Sequence, residues 1–152
     1  KRIFIKFFLF LIFLQLIIGA FVSGMDAGKI YNTWPLMGST YFPDDSNFKE
    51  FFTINLFDNP SLVQFVHRNL AYLILINYSY LLFAIFNNQN KNFRIPILVI
   101  GLILTLQIIL GIITLLSGVK ILYASLHQIN SIFIILSTLY LLYISRYQKI
   151  IN

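Results

Sequence analysis

Two histidines, His67 and His127, are the only ones in the chain, and each falls inside a long apolar run. An imidazole placed in hydrocarbon is expensive and by default marks a functional site. Two of them at one depth, on helices of the same direction, make an axial pair for a haem iron. The porphyrin brings four nitrogens, so two from the protein are enough. Zinc fits less well, because structural sites take four N or S ligands and catalytic sites three. The chain has no cysteine, and the two runs hold no acid and no further histidine. Read singly, each histidine could equally be a hydrogen-bonded packing residue or a step in a proton path.

The elements that position them follow from composition. The chain has 152 residues, 59% hydrophobic and 17% aromatic, with 11% charged, against about 25% charged in soluble domains. It reads as an all-α integral membrane protein, a four-transmembrane-helix bundle in one domain, 1–152. Four runs reach the roughly 20 apolar residues that a crossing helix needs: about Ile3–Val22, Leu62–Phe86, Ile95–Leu116 and Ile121–Ile144. The first has a basic flank like a signal peptide, but it is long and lacks a small-x-small cleavage site, so it reads as a span. Lys1, Arg2, Lys6, Lys91, Arg94, Arg146 and Lys149 share one side if the spans alternate, and an excess of cations marks the cytoplasmic side. Asp26, Asp44, Asp45, Glu50 and Asp58 all fall in the loop at about 23–61. Both termini are therefore expected inside and the loop outside. The net charge of +6 is explained by this asymmetry, so the expected partner is a lipid bilayer and not nucleic acid. The absence of an initiator Met suggests a fragment or a processed product. Without cysteine no disulfide forms and the redox compartment is not legible.

Topology brings the histidines to one level. Each enters from the outer face and lies roughly 8–9 Å below its helix start at 1.5 Å per residue. The four runs also read as two copies of a helix pair. Gln15-Leu-Ile-Ile-Gly19 precedes Ser23-Gly24, and Gln107-Ile-Ile-Leu-Gly111 precedes Ser117-Gly118. A histidine helix follows each: Val66-His67-Arg68-Asn69 and Leu126-His127-Gln128-Ile129-Asn130. Copies of the same polarity are expected to relate by a two-fold axis along the membrane normal, which would carry His67 onto His127.

The polar neighbours have two readings each. Gly19 and Gly111 either let helices approach closely or leave room for a flat macrocycle. Arg68 either snorkels to the interface or forks onto a haem propionate. Asn130 lies on the His127 face, three residues on, and either orients the ring or bonds a neighbour. Gln64, Asn69 and Gln128 are further candidates to accept the second N–H of a ligating histidine. The loop, long for a connection without structure of its own, is expected to cap the outer end, with aromatic-rich 48–57 lying on the membrane.

Asp26-Ala-Gly-Lys-Ile-Tyr-Asn-Thr-Trp-Pro-Leu-Met37, Gln64-Phe-Val-His-Arg-Asn-Leu-Ala-Tyr72, Gln107–Gly118 and Ala124-Ser-Leu-His-Gln-Ile-Asn130 together resemble the haem A synthase family over nearly the whole chain. The resemblance implies a bacterial inner (plasma) membrane or mitochondrial inner membrane location. It also implies a part in oxidising a methyl group of haem O to the formyl of haem A, for cytochrome oxidase assembly. Family members have eight spans in two homologous halves, each with a histidine pair, and this chain is similar to the second half. That half holds a haem b thought to pass electrons from the catalytic half, and His67 and His127 match its axial iron ligands. The catalytic half has Glu three residues before its first histidine, where this chain has Gln64. No catalytic residue is therefore expected here, and the chain alone should not perform the oxidation. Its expected partners are haem and an N-terminal catalytic half or a second copy of itself. Two other functions fit the residues: a free-standing bis-His cytochrome b, and a cofactor-free assembly or proton-relay subunit.

Overall fold

A computed structural model of the chain describes residues 2–87 and 91–151, with side chains to residue 147. Lys1 and the side chain of Lys149 lie outside the described residues. Four helices carry the fold: α1 (Arg2–Gly24), α2 (Pro60–Phe86), α3 (Arg94–Leu116) and α4 (Ile121–Ile151). The shortest have 23 residues, about 35 Å at 1.5 Å per residue, enough for a hydrocarbon core of about 30 Å. All four include a stretch long and apolar enough to cross a membrane. Among the described residues there is no strand, only an isolated bridge between Met37 and Thr40.

Local chemistry sets the helix ends. The Asn59 side chain accepts from the Ser61 and Leu62 amides at 3.0 and 3.3 Å, and Pro60 fills the first helical position, where its missing N–H is no loss. This starts α2 two residues before the expected span. At the other end of the chain, α4 runs seven residues past the expected Ile144. The turn from α3 to α4 is a Schellman closure. Val119 N–H reaches the Thr114 carbonyl at 2.8 Å and Gly118 N–H reaches Leu115 at 3.1 Å. Gly118 takes the required positive φ of 71°.

The helices pack as a ring: α1 on α2, α2 on α3, α3 on α4 and α4 back on α1. Helices α2 and α4 therefore stand at opposite corners. The loop of about 25–59 and the α3–α4 turn share one end, called here the loop end. The core is uneven along the axis. Ile5, Phe8, Leu11, Ile12, Leu70, Ile74, Tyr78, Leu81, Ile85, Ile97, Ile100, Leu104, Ile134 and Leu141 bury one another toward the far end, and Ile18 and Val63 extend the cluster toward the loop with the partly buried Val22, Met25 and Val66 against it. No residue of α3 beyond Leu104, and none of α4 before Asn130, is buried. Outward apolar residues such as Ile3, Phe10, Phe83, Leu102 and Ile132 are more than half exposed, which suits lipid as the surrounding solvent.

Candidate functional site

His67 on α2 and His127 on α4 lie nearer the loop end than most of the buried cluster. Each is met by the neighbouring helix in the same way. Gln15 of α1 places its amide Nε2 3.3 Å from His67 Nε2, and Gln107 of α3 places its Nε2 3.3 Å from His127 Nε2. One turn on from each glutamine stands a glycine. A Cβ on Gly19 would lie 3.2 Å from His67 Cε1, and a Cβ on Gly111 would lie 3.0 Å from His127 Cε1. Both are inside ordinary van der Waals contact, so the absence of a side chain is what lets each imidazole edge in. The space these glycines leave in the structure is taken by the histidine rings.

Hydrogen-bond partners fix the tautomer of His127. Its Nδ1 lies 3.1 Å from the Gln107 carbonyl, an acceptor only, so Nδ1 carries the proton. In the neutral ring Nε2 then holds the lone pair, which the Gln107 amide caps as donor. Asn130 fixes the orientation of that amide. Its Nδ2 donates to Gln107 Oε1 at 2.7 Å and to the Ile103 carbonyl at 3.0 Å. His67 has less around it. Gln15 Nε2 also donates to the His67 carbonyl at 3.0 Å, but Gln15 Oε1 and His67 Nδ1 are buried with no hydrogen-bond partner. The residue three beyond His67 is Leu70, which offers no donor.

The other expected residues go to the loop. Arg68 Nη1 donates to the Leu36 carbonyl at 3.1 Å and Nη2 to that of Tyr31 at 3.0 Å, while its Nε is buried without a partner. Buried Gln64 donates to the same Tyr31 carbonyl at 3.1 Å, leaving its Oε1 unpartnered. Asn69 Nδ2 bonds the Phe65 carbonyl and its Oδ1 accepts from Tyr41. Gln128 is exposed. The loop covers the loop end by these contacts and by Asn32, whose Nδ2 bridges the Gly28 and Leu115 carbonyls at 2.8 and 2.9 Å. Burial, then a 2.6 Å bond to Asp44, pushes the Tyr31 phenol up to about 12. Burial raises the Asp45 carboxyl too, but hydrogen bonds from Ser61, Ser46 and Tyr31 outweigh it and hold the group below its ordinary 3.8. Segment 48–57 contains two short 3-10 turns, Glu50–Phe52 and Ile54–Phe57, with Phe48, Phe52 and Ile54 well exposed.

The donor set suits a macrocycle. Among the described residues no three of His, Cys, Asp and Glu come together as a metal-binding group, whereas haem asks for two donors. The two Nε2 atoms, each capped here by a glutamine amide, are the donors such a group would use. Sequence reasoning named the histidines and glycines, and read Gln15 and Gln107 only as part of a repeated pattern. The available signal was physical, since an amide in hydrocarbon needs a partner and a histidine sits at its level.

A family model described as "Cytochrome oxidase assembly protein" matches residues 1–139. Among similar curated proteins, the "Heme A synthase" of Pelagibacter ubique (strain HTCC1062) is 47% identical over 142 residues, covering 93% of this chain and 42% of that protein. The "Heme A synthase" of Wolbachia pipientis wMel is 41% identical over 141 residues, covering 93% and 39%. That of Bartonella tribocorum is 38% identical over 119 residues, covering 78% and 33%. The chain thus spans about two fifths of the length of the first two relatives. No solved structure matches it significantly.

Proposed function

The chain belongs to the haem A synthase family of cytochrome oxidase assembly proteins, and from that premise we propose that it is the family's haem b-binding half. In this reading it serves, with a catalytic half or a second copy of itself, the oxidation of a haem O methyl group to the formyl of haem A. His67 and His127 would hold the iron of its haem b. The observation that carries the reading is the matched Gln–His–Gly set on each helix pair, with the histidines on opposite corners of the bundle. When bound, the haem supplies a one-electron iron couple. The chain's residues supply two imidazole lone pairs at Nε2, keep the His127 proton on Nδ1, and surround the site with hydrocarbon.

The two helix pairs are internal repeats in this reading, and the cations opposite the loop support cytoplasmic termini. The membrane is a respiratory inner membrane. Arg68, which meets backbone carbonyls and no carboxylate, keeps a cation near the site for a propionate. A second reading, a bis-His cytochrome that only transfers electrons, is favoured by one observation. All five acids lie outside α1 to α4, and Gln64 stands where the catalytic half carries Glu.

An optical spectrum of the chain in mild detergent, oxidised and dithionite-reduced, with a pyridine haemochrome assay, tests the reading. The expected result is a sharp reduced α-band and about one b-type haem per chain, as six-coordinate iron with two histidines gives. No haem after reconstitution, or a native spectrum in both His67→Ala and His127→Ala, sinks the axial assignment.

A further inference from the structure

Building on the haem reading, we propose that the two ligands are unequal: His127 anchors the haem and His67 is the ligand that lets go. Asn130 is the positioning residue that makes the difference. A ligating imidazole that donates its other N–H to an acceptor is held in one orientation and made more basic, and losing such a partner typically lowers affinity about 10–100-fold. His127 has this partner in the Gln107 carbonyl, 3.1 Å from Nδ1. Asn130, 7% exposed, ties α4 to that stretch of α3 through the Ile103 carbonyl and Gln107 Oε1. His67 Nδ1 is buried and meets no acceptor. Its helix offers Leu70 where α4 offers Asn130, and the Gln15 oxygen that such a donor would hold is itself without a partner.

The asymmetry has a chemical consequence. A small exogenous ligand for ferrous iron, such as carbon monoxide, gains its coordination position on the His67 side. The test loads iron protoporphyrin into the full chain in mild detergent and follows haem transfer to excess apomyoglobin. His67→Gly should hold haem through His127 and lose it about 10–100-fold more slowly than His127→Gly. Equal rates, or the reverse order, overturn the assignment. Two variants that keep both histidines guard against simple misfolding. Asn130→Leu, copying the α2 arrangement, should speed transfer, shift the low-spin EPR g-values and raise the midpoint potential. Leu70→Asn, which gives Gln15 Oε1 a donor, should slow transfer. An unchanged EPR signal and transfer rate in Asn130→Leu remove that residue from the role. Wild-type chain that takes up no haem sinks the haem reading and this inference with it, whereas haem-loaded wild type with equal variants overturns this inference alone.

Discussion

Helix pair α1–α2 and helix pair α3–α4 use the same three residue types, with the glycine four residues after the glutamine in each, yet they finish the job differently. In α3–α4 both ring nitrogens of His127, both amide atoms of Gln107 and the Asn130 Nδ2 have hydrogen-bond partners, and the set closes on the backbone of its own pair. In α1–α2 the Gln15–His67 contact leaves two buried polar atoms open, and the polar residues flanking His67 turn outward to the loop. One pair is built to stand by itself and the other to be completed by something else. Hydrogen bonds between membrane helices average only about 0.6 kcal/mol, so no single bond decides the contrast. It rests on the number of bonds and on whether any atom is left unsatisfied.

The heaviest blow to both pairs is steric. Gly111→Leu and Gly19→Leu each push a side chain into a histidine ring edge, and both should abolish haem uptake in the reconstitution assay. Normal uptake by either would mean that the ring-edge contact is incidental. Deleting the glutamines should separate the pairs. Gln107→Leu takes one of the two acceptors of Asn130 Nδ2 and the donor to the His127 lone pair, and should lower stability by about 1–2 kcal/mol. Gln15→Leu removes an unpartnered oxygen along with its two bonds and should cost less than about 1 kcal/mol. Denaturation in mixed micelles with helicity as the signal measures both, and equal losses would erase the contrast.

Arg68→Ala should leave the bundle folded and loosen the loop, since it frees the Leu36 carbonyl and leaves that of Tyr31 to Gln64 alone. Faster limited proteolysis between residues 25 and 58 is the readout. The smallest effect is the response of the loop to pH. Tyr31 has a raised folded value, so its contribution is complete below pH 10.0 and is lost as pH climbs through about 12. Asp45 has a lowered one, so its contribution is present above pH 3.8 and is lost as pH falls below that. Trp34 fluorescence should report loop release at both extremes and stay flat between them, while the histidine level stays unchanged.

Much of this architecture was legible in the residues. Apolar runs of sufficient length can only be helices in hydrocarbon, and Asn59-Pro60 and Gly118 mark ends by chemistry that acts within a few residues. The expectation of one level for His67 and His127 came from counting along helices assumed to alternate in direction. What distance along the chain concealed were the partners. Arg68 meets carbonyls 32 and 37 positions away, and no periodicity encodes where a loop folds back. The difference between Leu70 and Asn130 was visible at equal spacing from the two histidines. Its meaning appears only once Gln15 and Gln107 are placed beside the rings.

The uneven core gives the molecule the mechanics of forceps. In that comparison the far end, where Phe8, Leu81, Ile97 and Leu141 are almost fully buried, corresponds to the fulcrum and the helices to the arms. A tilt of about 10° about that fulcrum moves a point about 15 Å up the arm by roughly 2–3 Å. The two jaws carry one histidine each, and the catch across them is Asn32, reaching from the segment after α1 to the last turn of α3.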